Sequence, residues 1–472
     1  MGTNEYREKL DAYLDGKQDE MLADLSALIR IDSTKGEAAE GKPFGEGPAA
    51  AVAAMQGLLE KYGLRVTNYD NYVVTGDLDG EGEKALDILA HLDVVPVSDE
   101  WTVTAPFEPK VVGDRIYGRG TCDDKGPAIA AVYAVRAIRE LGIPLKRGVR
   151  LIFGSDEECG SSDLEYYYAR EKEAEYTFTP DGDFPVINIE KARLAKAFRA
   201  ACTSGEALPK LVRLTGGDKA NVVPGRAEVL VAGLDEAAAA PILDECAKAT
   251  GVAYSSEHAA DGLLIRVKGR TGHASTPEMG INAVTALLEL IARLPLADSE
   301  AVKRLRALRD LFPHGDTCGE ALGVKMADEI SGELTMSLDV LHYDGQEICG
   351  EFDCRAPLCA TDENLTEKVR EDLAGAGLTM DEGAMRPAHH VSADSDFVRT
   401  LLDSYERNFG KKGKPLAIGG GTYVHELERG VAFGCSIEGV DTHMHGDDEF
   451  MEIPVMMLSA KIFADTIVRL CN

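Results

Sequence analysis

The sequence predicts an α/β protein with a mostly parallel sheet, interrupted by a large inserted α+β domain. Up to about residue 185, short apolar runs of strand length alternate with helical segments, which is typical of a helix-covered parallel sheet. From about residue 186 the pattern changes to amphipathic strands with interspersed helices. After about residue 385, glycine-rich loops and a final helix indicate that the first domain resumes. We therefore divide the chain into 1–185, 186–384 and 385–472.

Three helices are predicted in the first part, at 18–31, 48–62 and 127–140. The first carries apolar residues at helical spacing, Met21 and Leu25 among them, and the third is rich in alanine. Gly63 and Gly142 follow the second and third helices, where a left-handed residue commonly ends a helix. The Gly- and Glu-rich segment 32–47 is predicted to be an exposed loop.

The strands of the first part are predicted at 64–68, 72–78, 86–90, 149–153 and 176–179. Three of these apolar runs end on side chains that bind metals or move protons. One ends on His91 and Asp93, the next on Glu157 and Glu158, and the last on Asp181. In an open α/β sheet, ligands bind at the carboxyl ends of the strands, so we expect these side chains to converge there.

The inserted region has the signature of an α+β domain. Helices are predicted at 235–250, 280–294 and 361–375, and strands at 211–214, 227–231, 263–268, 333–340 and 347–354. A βαβ-like pattern occurs twice, so we expect two α+β units, although the sequence contains no clean repeat.

Composition excludes several classes of function. The chain of 472 residues has 81 acidic and 50 basic side chains and a formal charge of −31, which argues against nucleic acid or anionic membrane as a partner. No run of 18 apolar residues is present, and the charged N-terminus has no apolar signal-peptide core. Ten cysteines without paired CxxC spacing favour free thiols in a reducing cytoplasm.

Two further segments add candidate ligands. The glycine-rich segment 118–126 carries Asp123, and the late segment 443–449 carries His443 and His445. Imidazoles and carboxylates that meet in a strand-end cleft are the donors that a divalent metal requires. The residues alone leave two alternatives open. Glu157 and Glu158 could be a solvated pair at the start of a helix, and His443 rather than His445 could be the metal ligand.

As a set, these motifs resemble the co-catalytic di-zinc metallopeptidase superfamily of aminoacylase, glutamate carboxypeptidase and carnosinase. The closest resemblance is to its bacterial dipeptidase branch. The shared motifs are His-x-Asp, Gly-Arg-Gly-x-x-Asp-x-Lys-Gly, Asp-Glu-Glu, Pro-Asp-Gly and a late His-x-x-Asp-Glu. Each motif is weak alone, but the set is specific and covers nearly the whole chain. The resemblance implies a zinc-peptidase catalytic domain with the inserted domain as its lid.

The resemblance also implies a role for each ligand. Asp123 would bridge two divalent metal ions, with His91 and Asp181 completing one site and Glu158 and His445 the other. Zinc is expected, with manganese or cobalt as alternatives, because nitrogen and oxygen ligands do not distinguish these ions in a sequence.

The chemistry requires groups beyond the ligands. Two divalent ions roughly 3.5–4 Å apart activate a water molecule and polarise the scissile carbonyl. By the resemblance, Asp93 would orient His91, and Glu157 would be the general base that passes the water proton to the leaving amine.

In the lid, the resemblance implies that His273 helps to polarise the scissile carbonyl or to stabilise its oxyanion. It also implies that Asn221 and Arg355 contact the substrate. Arg355 suits a terminal carboxylate, together with the late glycine loop that includes Gly421 and Thr422. From the residues alone, Asn221 could instead be a turn residue, and Arg355 could instead form an ion pair at the end of a strand. The chain departs from its relatives at position 425, where His425 replaces a usual arginine.

We therefore expect a cytoplasmic, metal-dependent dipeptidase that acts on small peptides, including β-alanyl or Xaa-His dipeptides. The alternatives are an N-acyl-amino-acid deacylase, a desuccinylase or a carboxypeptidase on the same scaffold, and a non-catalytic metal-binding protein. Relatives with a short lid dimerise through it, and the inserted region 186–384 is longer than such a lid. Two α+β units could pair within one chain, so we expect a monomer whose His273 acts in cis.

Overall fold

The computed structural model describes residues 3–472, which form two compact units. The first unit contains the chain up to Ile189, together with His390–Leu416 and Gly421–Asn472. The inserted unit contains Glu190–His389 and the short segment Ala417–Gly420.

Before the insertion, the residues that the structure describes form five α-helices and eight strands. The helices are α1 Thr3–Asp15, α2 Gln18–Ile29, α3 Glu46–Lys61, α4 Lys125–Glu140 and α5 Ser162–Tyr168. The strands are β1 Arg65–Tyr69, β2 Val73–Leu78, β3 Gly82–His91, β4 Lys110–Val112, β5 Arg115–Tyr117, β6 Arg147–Gly154, β7 Tyr176–Thr179 and β8 Ile187–Glu190.

The inserted part adds four helices and twelve strands. The strands are β9 Ala192–Ala201, β10 Lys210–Gly216, β11 Val222–Val223, β12 Arg226–Ala232, β13 Ala253–Ala259, β14 Gly262–Lys268, β15 Gly272–His273, β16 Ala327–Asp328, β17 Gly332–Glu333, β18 Thr335–Tyr343, β19 Glu347–Ala356 and β20 Thr379–Met380. The helices are α6 Glu236–Thr250, α7 Ala283–Arg293, α8 Glu300–Leu311 and α9 Glu367–Gly375.

The remaining elements follow the insertion: β21 His389–His390, α10 Asp396–Phe409, β22 Leu416–Ile418, β23 Gly430–Ala432, β24 Phe450–Glu452 and α11 Ile453–Leu470. Main-chain hydrogen bonds hold the entry and exit of the insertion together. Arg193 and Arg386 exchange two bonds of 2.9 Å within the inserted unit, and Val391 donates to the carbonyl of Asn188 at 2.9 Å within the first unit.

The sheet of the first unit has the order β1-β2-β6-β3-β7-β23-β8-β21, with β22 paired to β8. Its four middle strands, β6, β3, β7 and β23, run parallel, and the strands on either side pair antiparallel with them. The α/β fold with an inserted α+β domain is therefore confirmed. Parallel strands buried on both faces need continuous apolar runs, and the last seven residues of β3 are all buried.

Apolar packing fixes this sheet in place. Helix α4 is buried from Lys125 to Ile138 and contacts α11, and both contribute to the main core of the unit. A smaller apolar group, which we call the side cluster, lies apart from that core. The side cluster consists of Val73, Leu89, Ile152, Leu164, Tyr167, Tyr423, Val424 and Leu427.

The inserted unit contains one continuous eight-stranded sheet with the order β13-β14-β12-β10-β18-β19-β9-β20. Two four-stranded halves join where β10 pairs antiparallel with β18, in the register Leu214 to Tyr343 and Gly216 to Leu341. Helices α6 and α7 pack with the first half, and α9 packs with the second. The two α+β units therefore share one sheet within a single chain.

Among residues 3–472, no helix is long and apolar enough to cross a membrane.

Candidate functional site

Three neighbouring strand ends of the first unit carry the core of the site. Strands β6, β3 and β7 lie side by side and parallel, so their carboxyl ends meet at one edge of the sheet. His91 ends the middle strand, Glu158 follows β6 and Asp181 follows β7. The Nε2 atom of His91 lies 3.8 Å from Oδ2 of Asp181. The topology thus brings together side chains that are up to 90 positions apart in the sequence (from 91 to 181).

Asp123 lies between the two histidines of the site. Its Oδ1 is 2.9 Å from Nε2 of His91, and its Oδ2 is 2.8 Å from Nε2 of His445. The same His445 nitrogen is 3.2 Å from Oε1 of Glu158. Each oxygen of Asp123 therefore faces a different imidazole, which is the arrangement required of a carboxylate that bridges two cations.

The late histidine segment has an unusual backbone. His443, His445 and Asp448 all have left-handed φ angles, of 58°, 61° and 57°. His445 faces Asp123, whereas Nδ1 of His443 lies 3.0 Å from the carbonyl oxygen of Asp447. Asp448 accepts hydrogen bonds from two main-chain N–H groups, of Thr102 at 2.9 Å and of Val103 at 2.8 Å. Of the two alternative histidines, the structure places His445 with the other candidate ligands.

The donor set fits a divalent metal. Ligand atoms of His91, Asp123 and Glu158 lie within 4.8 Å of one another. Oε1 of Glu158 is buried and makes no hydrogen bond among the described residues, although His445 is close. A buried carboxylate oxygen without a hydrogen bond is costly unless a cation occupies its lone pair.

Burial and crowded charges perturb the pKa values of the acidic groups. Burial and, after it, the neighbouring Asp123 carboxylate together raise the pKa of Asp181 to about 7. Burial also raises the pKa of Glu157 well above its usual range. For Asp123 burial acts in the same sense, but hydrogen bonds from His445 and His91 outweigh it and lower the pKa.

The two histidines respond in the opposite sense. The adjacent carboxylates of Asp123 and Glu158 raise the pKa of His445 to about 11, because they favour its charged form. Burial disfavours a charge on His91, but Asp123 and Asp93 outweigh it and raise its pKa above the usual range. Several carboxylates thus compete for positive charge, which divalent cations would supply.

Asp93 has a different set of contacts from the one expected. Its carboxylate lies 3.6 Å from Nδ1 of His91, beyond hydrogen-bond distance, whereas its carbonyl oxygen lies at 3.0 Å. The carboxylate instead accepts the main-chain N–H groups of Glu157 at 3.2 Å and Glu158 at 3.1 Å. Asp93 therefore orients the imidazole through its main chain and the two glutamates through its side chain.

Glu449 is a site residue whose function the sequence did not reveal. It is fully buried, and it accepts the main-chain N–H groups of Gly120 at 3.2 Å and Cys122 at 3.0 Å. Gly120 has a φ of 85°, where glycine is favoured. The carboxylate of Glu449 thus fixes the loop that presents Asp123. Its signal in the sequence is its place as the last residue of the late His-x-x-Asp-Glu motif.

The inserted unit brings His273 and Asn221 together. Strands β11 and β15 pair Val222 with His273, and the N–H of Ala274 donates to the carbonyl of Asn221 at 3.0 Å. The N–H of Ser275 donates to Nδ1 of His273 at 3.1 Å. Because a main-chain N–H can only donate, Nδ1 must be unprotonated, and the ring proton lies on Nε2. His273 can therefore donate a hydrogen bond from Nε2.

Arg355 lies in the same region of the inserted unit. Its guanidinium contacts Asp353 at 2.5 and 3.2 Å and donates to the carbonyl of Gly419. A Cβ on Gly419 would approach Cβ of Ser275 to 2.7 Å, so a glycine is needed there. A guanidinium has five N–H donors, so Arg355 retains donors for a further oxygen.

The other predicted substrate residues lie in the late loop of the first unit. The Thr422 hydroxyl accepts the N–H of Val424 at 3.4 Å, at the start of the short 3₁₀ turn Tyr423–Glu426. Gly421 is exposed, whereas His425 is buried within the turn.

Similar proteins identify the family. The model of peptidase family M20/M25/M40 matches residues 88–469. The Bacillus subtilis (strain 168) protein named "Putative dipeptidase YtjP" is 36% identical over 465 residues, covering 97% of this chain and 98% of that protein. The Staphylococcus epidermidis (strain ATCC 12228 / FDA PCI 1200) "Putative dipeptidase" is 30% identical, covering 99% of both.

Solved structures share the fold. Human carnosine dipeptidase 1 is 17% identical with a TM-score of 0.61, covering 98% of both chains. The dipeptidase Dug1p from Saccharomyces cerevisiae is 13% identical with a TM-score of 0.59, covering 100% of this chain and 99% of that one. The predicted family and the predicted class of enzyme, a peptidase, are confirmed: this chain belongs to peptidase family M20/M25/M40.

Proposed function

We propose that this chain is a metal-dependent dipeptidase that hydrolyses the peptide bond of small peptides. The observation that carries the proposal is the position of Asp123, whose two oxygens face His91 and His445 separately. Relatives at 30–36% identity over nearly the whole chain are named as dipeptidases, which supports this substrate class.

Contacts among the candidate ligands support the metal assignment. Asp123 would be shared by two divalent ions, with His91 and Asp181 holding one and Glu158 and His445 the other. Zinc suits this donor set, and manganese or cobalt could replace it. Such ions polarise the scissile carbonyl and make a water molecule acidic.

Glu157 would act as the general base. Its main-chain N–H is held by Asp93, and its side chain lies among the carboxylates and histidines of the site without belonging to the ligand set. In this role Glu157 takes the proton of the attacking water and delivers it to the leaving amine. A buried carboxyl whose pKa is raised is a better proton acceptor at neutral pH than an ordinary one.

The inserted unit would supply substrate contacts. His273 would donate from Nε2 to the carbonyl oxygen as negative charge develops there, and this role needs the tautomer that Ser275 imposes. Arg355 would hold the terminal carboxylate of the substrate. Asn221, Gly421 and Thr422 would complete the substrate contacts.

We also propose that the enzyme is a monomer of the reducing cytoplasm, with His273 acting in cis. The edge of β10 is already paired with β18 of the same chain, so it does not need a second subunit. All ten cysteines, which lie among the described residues, are free of disulfides.

A hydrolysis panel tests the proposal. The purified enzyme, reconstituted in turn with zinc, manganese and cobalt, is given β-alanyl and Xaa-His dipeptides, longer peptides, and N-acetyl and N-succinyl amino acids. We expect dipeptides to be cleaved fastest. A preference for acylated amino acids would instead identify a deacylase, a preference for longer peptides a carboxypeptidase, and no hydrolysis with any metal a non-catalytic metal-binding protein.

A further inference from the structure

A buried hydrogen bond joins two segments of the first unit that are distant in the sequence. The hydroxyl of Tyr423 donates to Oδ2 of Asp163, and the two side chains are 1% and 0% exposed. The residues are 260 positions apart in the chain. The ring of Tyr423 also meets the ring of His91 edge-on, with the ring centres 6.1 Å apart. This contact therefore lies next to the metal ligands without including one of their donor atoms.

The same carboxylate holds the start of the glutamate loop, residues 155–158. Oδ2 of Asp163 accepts the main-chain N–H groups of Ser155 at 2.5 Å and Asp156 at 3.0 Å. Asp93 accepts the next two N–H groups, those of Glu157 and Glu158. Two buried carboxylates thus bind four successive N–H groups, and the direction of both glutamate side chains follows from that main-chain path.

Tyr423 packs directly against the main chain at the end of β6. A Cβ added at Gly154 would collide with the hydroxyl of Tyr423 and with Oδ2 of Asp163. The space that a side chain would fill at position 154 is therefore occupied by the hydrogen bond itself. Tyr423 directly follows Gly421 and Thr422, so its position also fixes that segment.

We propose that Asp163 and Tyr423 are a pair of positioning residues that connect the glycine loop to the alignment of Glu157. The hydroxyl and the two main-chain N–H groups converge on one carboxylate oxygen, so this oxygen is an anchor that both segments share. Without the hydroxyl, the glutamate loop loses the anchor that ties it to the segment after Thr422. The inference rests on the proposed role of Glu157 as base.

The test is a double-mutant cycle on the metal-loaded enzyme, with Tyr423→Phe, Asp163→Asn and the double variant. The matched control is Tyr167→Phe, since Tyr167 is also a buried tyrosine of the side cluster but accepts its hydrogen bond from Arg150 at 3.0 Å. For each variant kcat and KM on a dipeptide, bound metal and thermal unfolding are measured, and kcat is expressed per metal-loaded enzyme.

We expect Tyr423→Phe to lower kcat about tenfold with its metal content unchanged, since small misplacements of a reacting group are costly. KM should rise in the same variant, because the glycine loop loses the same anchor. The double variant should be no worse than the worse single variant, because both changes break one unit. Tyr167→Phe should keep kcat within about twofold, even if its unfolding temperature falls.

Two results would overturn the positioning role proposed for Asp163 and Tyr423. One is an unchanged kcat in Tyr423→Phe, and the other is losses that multiply in the double variant. If Asp163→Asn fails to fold, the comparison of Tyr423→Phe with Tyr167→Phe still tests the positioning role.

Glu157→Gln separates this proposal from the proposed function. If that variant keeps full activity, the base assignment is wrong and the positioning role fails with it. If Glu157→Gln is inactive while Tyr423→Phe is fully active, only the positioning pair is wrong.

Discussion

Arg119 and Glu449 form an ion pair that is almost completely withdrawn from water, with Nη1 and Oε2 2.6 Å apart and exposures of 2% and 0%. The guanidinium carbon of Arg119 also lies 5.5 Å from the centre of the Trp101 ring, over its face. Because the same carboxylate holds the loop that presents Asp123, this pair links the stability of the fold to the geometry of the metal site.

Removing one partner of this pair should strongly destabilise the fold. Arg119→Ala leaves the Glu449 carboxylate buried without its cation, and we expect a loss of about 3–5 kcal/mol in the free energy of unfolding. Denaturant unfolding measures this loss. Arg199→Ala is the control, because its pair with Asp381 at 2.9 Å is exposed and should contribute less than about 1 kcal/mol. Similar losses in both variants would contradict the special weight given to the buried pair.

The roles of Glu157 and Asp123 can be separated by metal analysis. Glu157→Gln should lose nearly all turnover and keep its metal, because this residue is not a ligand in our assignment. Asp123→Asn should lose both ions, because each of its oxygens faces a different histidine. Elemental analysis of the purified variants gives the answer, and equal loss of metal in both would remove Glu157 from its assigned role.

A carboxylate contact by Arg355 would make the enzyme depend on a free C-terminus. Amidating a good dipeptide should reduce kcat/KM about 10- to 100-fold, since a hydrogen bond to a charged group contributes about 1.5–3 kcal/mol. In Arg355→Ala the acid and the amide should be cleaved at similar rates. Arg193→Ala is the matched control, because Arg193 also pairs with Asp353, at 2.8 Å, but is not assigned to the substrate and should leave the discrimination intact. Equal rates for acid and amide in the unaltered enzyme would favour the deacylase alternative.

The cis arrangement of His273 can be tested by mixing two inactive variants. His273→Ala and Asp123→Ala should each be inactive, and their mixture should stay inactive if each chain uses its own histidine. Recovered activity would show that subunits exchange the histidine. A monomer mass, with a specific activity that does not change on dilution, is the expected accompaniment.

Asp339 should make the stability of the inserted unit depend on pH. Burial raises its pKa to about 8, against 3.8 for an ordinary aspartate. The folded carboxyl keeps its proton where the unfolded one has lost it, so its contribution to stability is full below pH 4. That contribution is lost as the pH rises to about 8. Asp339→Asn should therefore flatten the dependence of the unfolding temperature on pH, and Asp298→Asn, at an exposed position, should not.

Strand ends were the most predictable part of the site. The run of residues 176–179 was predicted as a strand and is β7 without change, and the apolar runs before His91 and Glu157 are also strands. Buried parallel strands need continuous apolar sequence, so their ends are visible in the chain. Helices α1, α5, α8 and α10 were not predicted, although α8 and α10 carry buried apolar residues at helical spacing.

Long-range polar contacts were not predictable in the same way. The hydrogen bond of Tyr423 to Asp163 depends on where two distant segments meet, and neither residue is unusual in its local sequence. The segment Ala417–Gly420 belongs to the inserted unit for the same reason, since the carbonyl of Gly419 accepts from Arg355. Asp93 shows a further limit, because the resemblance implied a contact with His91 but did not identify the oxygen of Asp93 that makes it.

The paired entry and exit of the insertion make residues 190–389 a cassette. Arg193 pairs with Arg386 inside the inserted unit, and Asn188 pairs with Val391 inside the first unit, so the two crossings of the chain are adjacent. Extending a closed loop costs only about 0.6 kcal/mol for each doubling of its length. Lengthening the cassette therefore costs little loop-closure free energy. The same junction is where an engineer would graft another relative's cassette to change which peptides are cut.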